Sequence, residues 1–102
     1  MRAELLKGHL DLLLLSVLAE EPLHGYAAIE ELKRRGGFEL PEGTIYPALH
    51  RLEAAGLLDS RWSSESGRRR RVYSVTRTGR RELTRRRDEW RVFTEAVGAV
   101  VT

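Results

Sequence analysis

At 102 residues and 41% hydrophobic content, the chain has the size of a single domain with a modest core, one that gains from a partner chain. It contains no cysteine, which excludes disulfides and thiolate chemistry and accords with a reducing compartment. The net charge of +3 is segregated: residues 61–91 hold twelve arginines against four acids, about +8, and leave the remainder near −5, a footprint that suits a polyanion as well as a solubilising surface.

The N-terminus carries no secretory cleavage pattern, and Leu10 to Ala19 is interrupted by Asp11 and Ser16 and too short to span a bilayer. A cytoplasmic protein without a membrane partner is expected. Glu4 to about Glu20 reads as a helix whose Leu12-Leu13-Leu14-Leu15 run, with Val17 and Leu18, is apolar on nearly every side. Such a helix is buried on two faces, either within its own domain or against a second subunit. Pro22 ends it.

From His24 a second helix runs through Tyr26, Ile29 and Leu32 to Arg34-Arg35, where cations suit the helix dipole and Gly36-Gly37 provide the stop. Phe38 to Pro41 is a connector or a short strand, with Leu40 biased to extended conformations by the proline after it. A third helix starts near Gly43, with Pro47 placed in its first turn, and ends at Gly56. Ile45, Leu49 and Leu52 recur at i, i+4 and i+7, so that stripe faces a core while Thr44, Tyr46, Pro47, His50 and Arg51 face outward.

Leu57 to Trp62 and Arg71 to Val75 read as a hairpin, joined by residues 63–70 with turn chemistry at Ser66-Gly67. Its arginines resemble the wing of a winged helix-turn-helix, where guanidinium groups meet phosphates or the minor groove. Thr76 or Thr78 N-caps a last helix along which Leu83, Trp90, Phe93, Val97 and Val100 form an apolar seam. The preceding helices have no evident need of that seam, so it is read as a dimerisation element. The expected fold is mainly α with a small β-hairpin (α+β): a winged helix-turn-helix over 1–76 and a dimerisation helix over 77–102, in one compact unit. No internal repeat or second domain is present in the sequence.

His9, His24 and His50 form no i, i+4 metal pair, and there is no phosphate-cradling glycine loop and no nucleophile in an activating context, so neither an enzyme nor a cofactor is expected. The alternative to DNA reading is a winged helix that serves protein interaction.

Several segments together resemble the PadR transcriptional regulators: the leucine-rich first helix, His24-Gly25-Tyr26, Thr44 to Glu53, Gly56-Leu57, and Gly67 through Thr76 with Gly79. Val72 stands where an aromatic is frequent in that family, and the single C-terminal helix looks like its short subfamily. The resemblance implies a winged helix-turn-helix homodimer that binds a palindromic operator in double-stranded DNA, usually represses, and often releases DNA on meeting a small aromatic or lipophilic effector. The 43–56 helix then enters the major groove. Thr44, Tyr46, Pro47 and His50 approach bases or phosphates, with Tyr26 nearby, and Arg68, Arg69 and Arg70 reach the backbone or minor groove from the wing. Arg51 lies deeper and either contacts DNA or pairs with an acid, and Tyr46 either reads DNA or packs on Tyr26. Trp90 and Phe93, with His9 and Asp11 near them, are the effector-binding candidates; the other reading of Trp90 is a packed seam residue.

Overall fold

A computed structural model describes residues 8–102, the Ser66 side chain excepted. The part of the expected first helix from Glu4 to Lys7 lies outside the described residues. Helix α1 spans Leu10–Glu20 and buries Leu14, Leu15, Val17 and Leu18, while Leu10, Leu12 and Leu13 pack on the same core from its margin. A two-residue strand β1, Leu23–His24, follows, then α2, Gly25–Gly36, and α3, Glu42–Ala54. Strand β2, Leu58–Ser63, and strand β3, Arg70–Val75, flank a single 3-10 turn at Glu65–Gly67, and α4 runs over Arg77–Val101.

The sheet is antiparallel in the order β1-β3-β2, with Leu23 opposite Tyr73 and Leu58 opposite Val75. The wing therefore has three strands where the sequence suggested a hairpin. Two residues are too few to display a period of two, so β1 becomes visible only through its partner on β3. Tyr73 sits centrally and is the largest of the fully buried side chains, in one cluster with Leu14, Leu18, Ile45, Leu49 and Leu58.

Helix α2 begins with His24 Nδ1 accepting the Ala27 N–H at 3.2 Å and ends at Gly37, whose N–H bonds the Lys33 carbonyl at 2.9 Å. Helix α3 starts at Glu42, with the Pro41 carbonyl accepting from the Thr44 and Ile45 N–H groups. The helix starts one residue earlier than expected, and Pro47, its sixth residue, lies inside the helix and not in its first turn. The missing proline N–H deprives the Gly43 carbonyl of a bond, a tolerable loss because Gly43 is exposed to solvent.

Between Thr76 and Thr78 the structure selects Thr76 as the cap of α4. Its hydroxyl accepts the Gly79 N–H at 2.9 Å and donates to the Gly56 carbonyl at 2.7 Å, while its own N–H bonds the Leu57 carbonyl at 3.1 Å. These bonds tie the start of α4 to the turn that ends α3. A Cβ on Gly79 would stand 2.1 Å from the Leu57 carbonyl oxygen, so only glycine permits the approach.

Leu83 is buried at 3% exposure in the core of its own chain and is therefore not a seam residue. It lies close enough to the root of α4 to meet α1, and periodicity alone does not mark where a helix leaves its domain. Beyond it α4 projects, giving an elongated molecule of 52 × 28 × 20 Å.

Candidate nucleic-acid interface

A groove of about 610 Å³ opens where the first residues of α2 and α3 face the wing. Its lining comes from His24, Gly25 and Tyr26 of β1 and α2, Glu42 and Tyr46 of α3, and Trp62 with Arg68 to Arg71 of the wing. Four guanidinium groups face one carboxylate, so the groove favours anions. Tyr46 is half-buried, and its ring lies on Gly25: a Cβ there would meet Tyr46 Cε1 at 2.5 Å. The glycine of His24-Gly25-Tyr26 thus makes room for the aromatic ring of α3.

His24 contributes a second feature. With Nδ1 accepting the Ala27 N–H, a neutral imidazole carries its proton on Nε2, which lies 2.7 Å from Arg70 Nη1. A neutral imidazole has one acceptor nitrogen, so the bond from the Ala27 N–H and a bond from the Arg70 guanidinium to Nε2 belong to different tautomers. Burial first, and then the charges of Arg70 and Arg68, hold the imidazole below its ordinary pKa, so the ring is kept neutral.

Arg71 anchors the wing to α3. Its Nε donates to Ser60 Oγ at 2.7 Å, Ser60 donates to Glu53 at 2.6 Å, and the guanidinium lies 3.8 Å from the same Glu53 carboxylate. Arg69 and Arg71 also stand over the Trp62 ring, 4.3 and 5.3 Å from its centroid.

Of the residues expected to meet DNA, the groove brings together Tyr26, Tyr46, Arg68, Arg69 and Arg70. Pro47 and His50 are exposed on α3 and Thr44 is half-buried there, all outside the groove lining. Arg51 is turned elsewhere. It makes a two-pronged contact with Asp11 of α1, Nη1 to Oδ2 at 2.9 Å and Nη2 to Oδ1 at 2.7 Å, which matches the acid-pairing alternative. Arg86 of α4 approaches the same carboxylate at 3.6 Å. These cations hold the Asp11 carboxyl below the usual carboxylate range, the Arg51 hydrogen bonds contributing most.

The sequence pointed to neither Trp62 nor His24 as a site residue, and it placed Arg71 within the 63–71 wing but at the strand edge, apart from the contacting arginines. The signal for Trp62 was available, since a large aromatic one strand position from a polar turn, opposite Arg71 in the ladder, has little core to enter.

A second cleft of about 400 Å³ lies between the start of α1 and the middle of α4, lined by Gly8, His9, Leu12, Arg85, Arg86, Glu89, Trp90 and Phe93. It collects His9, Trp90 and Phe93. Asp11, expected with them, is absent from the lining; its carboxylate is engaged by Arg51 and by Arg86, the latter itself a lining residue. Along α4, Trp90 is 50% exposed and Phe93 58%, and Val92, Val97, Val100 and Val101 are exposed as well. Among the described residues, no helix is long and apolar enough to cross a membrane, and no group of three or more acids and histidines is placed to hold a metal ion.

Three helices, with α3 presented beside a three-stranded basic wing, define a winged-helix transcriptional regulator. Residues 14–85 match the Transcriptional regulator PadR-like family, and the chain belongs to that family. Among curated proteins it is 48% identical over 66 residues to the transcriptional regulator Rv3488 of Mycobacterium tuberculosis, a match spanning 65% of this chain and 61% of that relative's length. A PadR family transcriptional regulator from Eggerthella lenta superposes with a TM-score of 0.86 at 37% identity, over 96% of this chain and 86% of that one. A PadR-like transcriptional regulator from Bacillus cereus superposes with a TM-score of 0.89 at 27% identity, over 98% of both chains.

Proposed function

We propose that the protein is a sequence-specific DNA-binding repressor that works in the cytoplasm as a homodimer on a palindromic operator. The observation that carries this reading is the groove itself, in which the starts of α2 and α3 and four wing arginines converge on one anion-favouring surface. Helix α3 enters the major groove, where Tyr46, Thr44, Pro47 and His50 meet bases or phosphates, and the 63–71 wing follows the backbone or minor groove. Tyr26, Arg68, Arg69 and Arg70 supply phosphate contacts. Arg51 supports α3 through Asp11 and is left out of this contact set.

The apolar strip of Trp90, Phe93, Val97 and Val100 supports dimerisation, because an exposed row of large hydrophobic side chains is stabilised by burial against a second copy. Half-sites about one helical turn apart, roughly 34–36 Å, follow from two reading helices related by a two-fold axis. The cleft beside Trp90 and Phe93, with His9 at its edge, supports a flat aromatic or lipophilic effector.

Binding of the intergenic duplex upstream of the gene, measured against a scrambled duplex at physiological salt, tests the reading. Tyr46→Ala weakens binding with the oligomer intact, and Arg69→Ala lowers affinity and flattens its salt dependence. Equal affinity for the two duplexes would instead favour a protein-interaction module. Phe93→Arg sediments as a monomer, and an effector quenches Trp90 fluorescence in the wild type but not in Trp90→Phe.

A further inference from the structure

Trp62 has no task in the DNA-reading assignment as it stands. It is 53% exposed at the end of β2, so it contributes little to the core. Arg71, one of its two cationic neighbours, is independently fixed by Ser60 and Glu53. Arg69 is not. Among the described residues no hydrogen bond or ion pair is made by its guanidinium, and the indole face 4.3 Å away is what holds it. A cation over an indole is attracted by the ring quadrupole, an interaction that survives partial exposure.

We propose that Trp62 is the positioning residue of the wing: it orders the Arg69 guanidinium before DNA arrives and raises operator affinity through that arginine. The inference rests on the DNA-reading assignment. An arginine that is mobile in the free protein loses rotamer freedom when DNA fixes it, whereas one already stacked loses less. The packing also leaves the guanidinium edge, with its five N–H donors, free to bond phosphate while its face stays on the ring. Arg71, also over the indole ring, ties the platform to α3 through Glu53.

The test uses the full chain and the duplex that the wild type selects from a random-sequence pool. Trp62→Ala lowers affinity about three- to fivefold, the range that one exposed cation–π contact supplies, and Trp62→Phe recovers part of the loss. Because the effect passes through Arg69, Trp62→Ala combined with Arg69→Ala binds no worse than Arg69→Ala alone. In the DNA-free protein the Arg69 side-chain protons show upfield ring-current shifts by NMR that disappear in Trp62→Ala. Equal binding by wild type and Trp62→Ala, additive losses in the double variant, or absent ring-current shifts each overturn the positioning role while the DNA-reading assignment stands. A wild type that selects no duplex overturns both.

Discussion

The ring of Tyr46 rests directly on Gly25, with the space a Cβ would occupy filled by its Cε1, Cζ and hydroxyl atoms. One glycine at the start of α2 thereby sets the tilt of an aromatic side chain on the helix assigned to the major groove. Gly25→Ala is expected to push the ring aside, weaken operator binding, and cost about 1–2 kcal/mol as an overpacked contact. Urea denaturation of Gly25→Ala in wild-type and Tyr46→Ala backgrounds checks the cause. The cost disappears when the ring is gone.

At Gly79 the obstruction is backbone, because a Cβ would approach the Leu57 carbonyl oxygen to 2.1 Å and Val75 Cγ1 to 2.7 Å. The carbonyl is held by the Thr76 N–H, so it has no easy way to yield. Gly79→Ala is expected to destabilise by about 2–3 kcal/mol. Gly43→Ala, in a helix with nothing within 4 Å of the added carbon, should stabilise by about 0.5–1 kcal/mol. Opposite shifts of the two urea midpoints are the expected outcome.

His24 gives the protein a pH dependence of known sign. Its pKa in the folded chain lies below the ordinary value of about 6.5, so the unfolded chain takes up a proton first as pH falls. Stability is then full above about pH 7 and declines through pH 6.5 towards the lower folded value. His24→Asn keeps an N-cap acceptor for the Ala27 N–H and should flatten that slope. Thermal midpoints at pH 7.5 and 5.5 for both proteins decide it, and parallel declines would exclude His24 as the cause.

Asp11 joins three helices, through Arg51 of α3 and Arg86 of α4, and Arg86 Nε is buried without a hydrogen-bond partner of its own. Asp11→Asn is expected to cost about 1 kcal/mol, given that Arg51 is more than half exposed. The carboxylate's folded pKa is depressed, so its contribution holds above about pH 4 and is lost as pH falls through the folded value. In a double-mutant cycle with Arg51→Gln the two losses should be less than additive. Strict additivity would show that the pair contributes nothing jointly.

Helices α2 and α3, the wing strands and α4 were readable from the sequence because each carries a sustained period and chemical punctuation at its ends. What escaped depends on residues distant in the chain. Strand β1 exists through pairing with β3, and Arg51 meets Asp11 across 40 positions, a contact no local pattern records. Leu83 fits the same helical rhythm as Phe93, and only the point at which α4 leaves α1 separates a core residue from an exposed one. Within the groove the arginine run and Tyr46 were conspicuous. His24 and Trp62 were not, because their contacts come from a tautomer and a ring face.

The bonds from Thr76 to Gly56 and Leu57 make the turn after α3 the pivot of a lever. From Thr76 to Val101 that lever is about 38 Å long at 1.5 Å per residue, so a change of about 5° at its root carries the tip about 3 Å. Mechanical advantage of this kind runs in both directions. A small re-seating of the distal helix face is reduced to a fine adjustment at Gly56, immediately behind the helix assigned to the DNA.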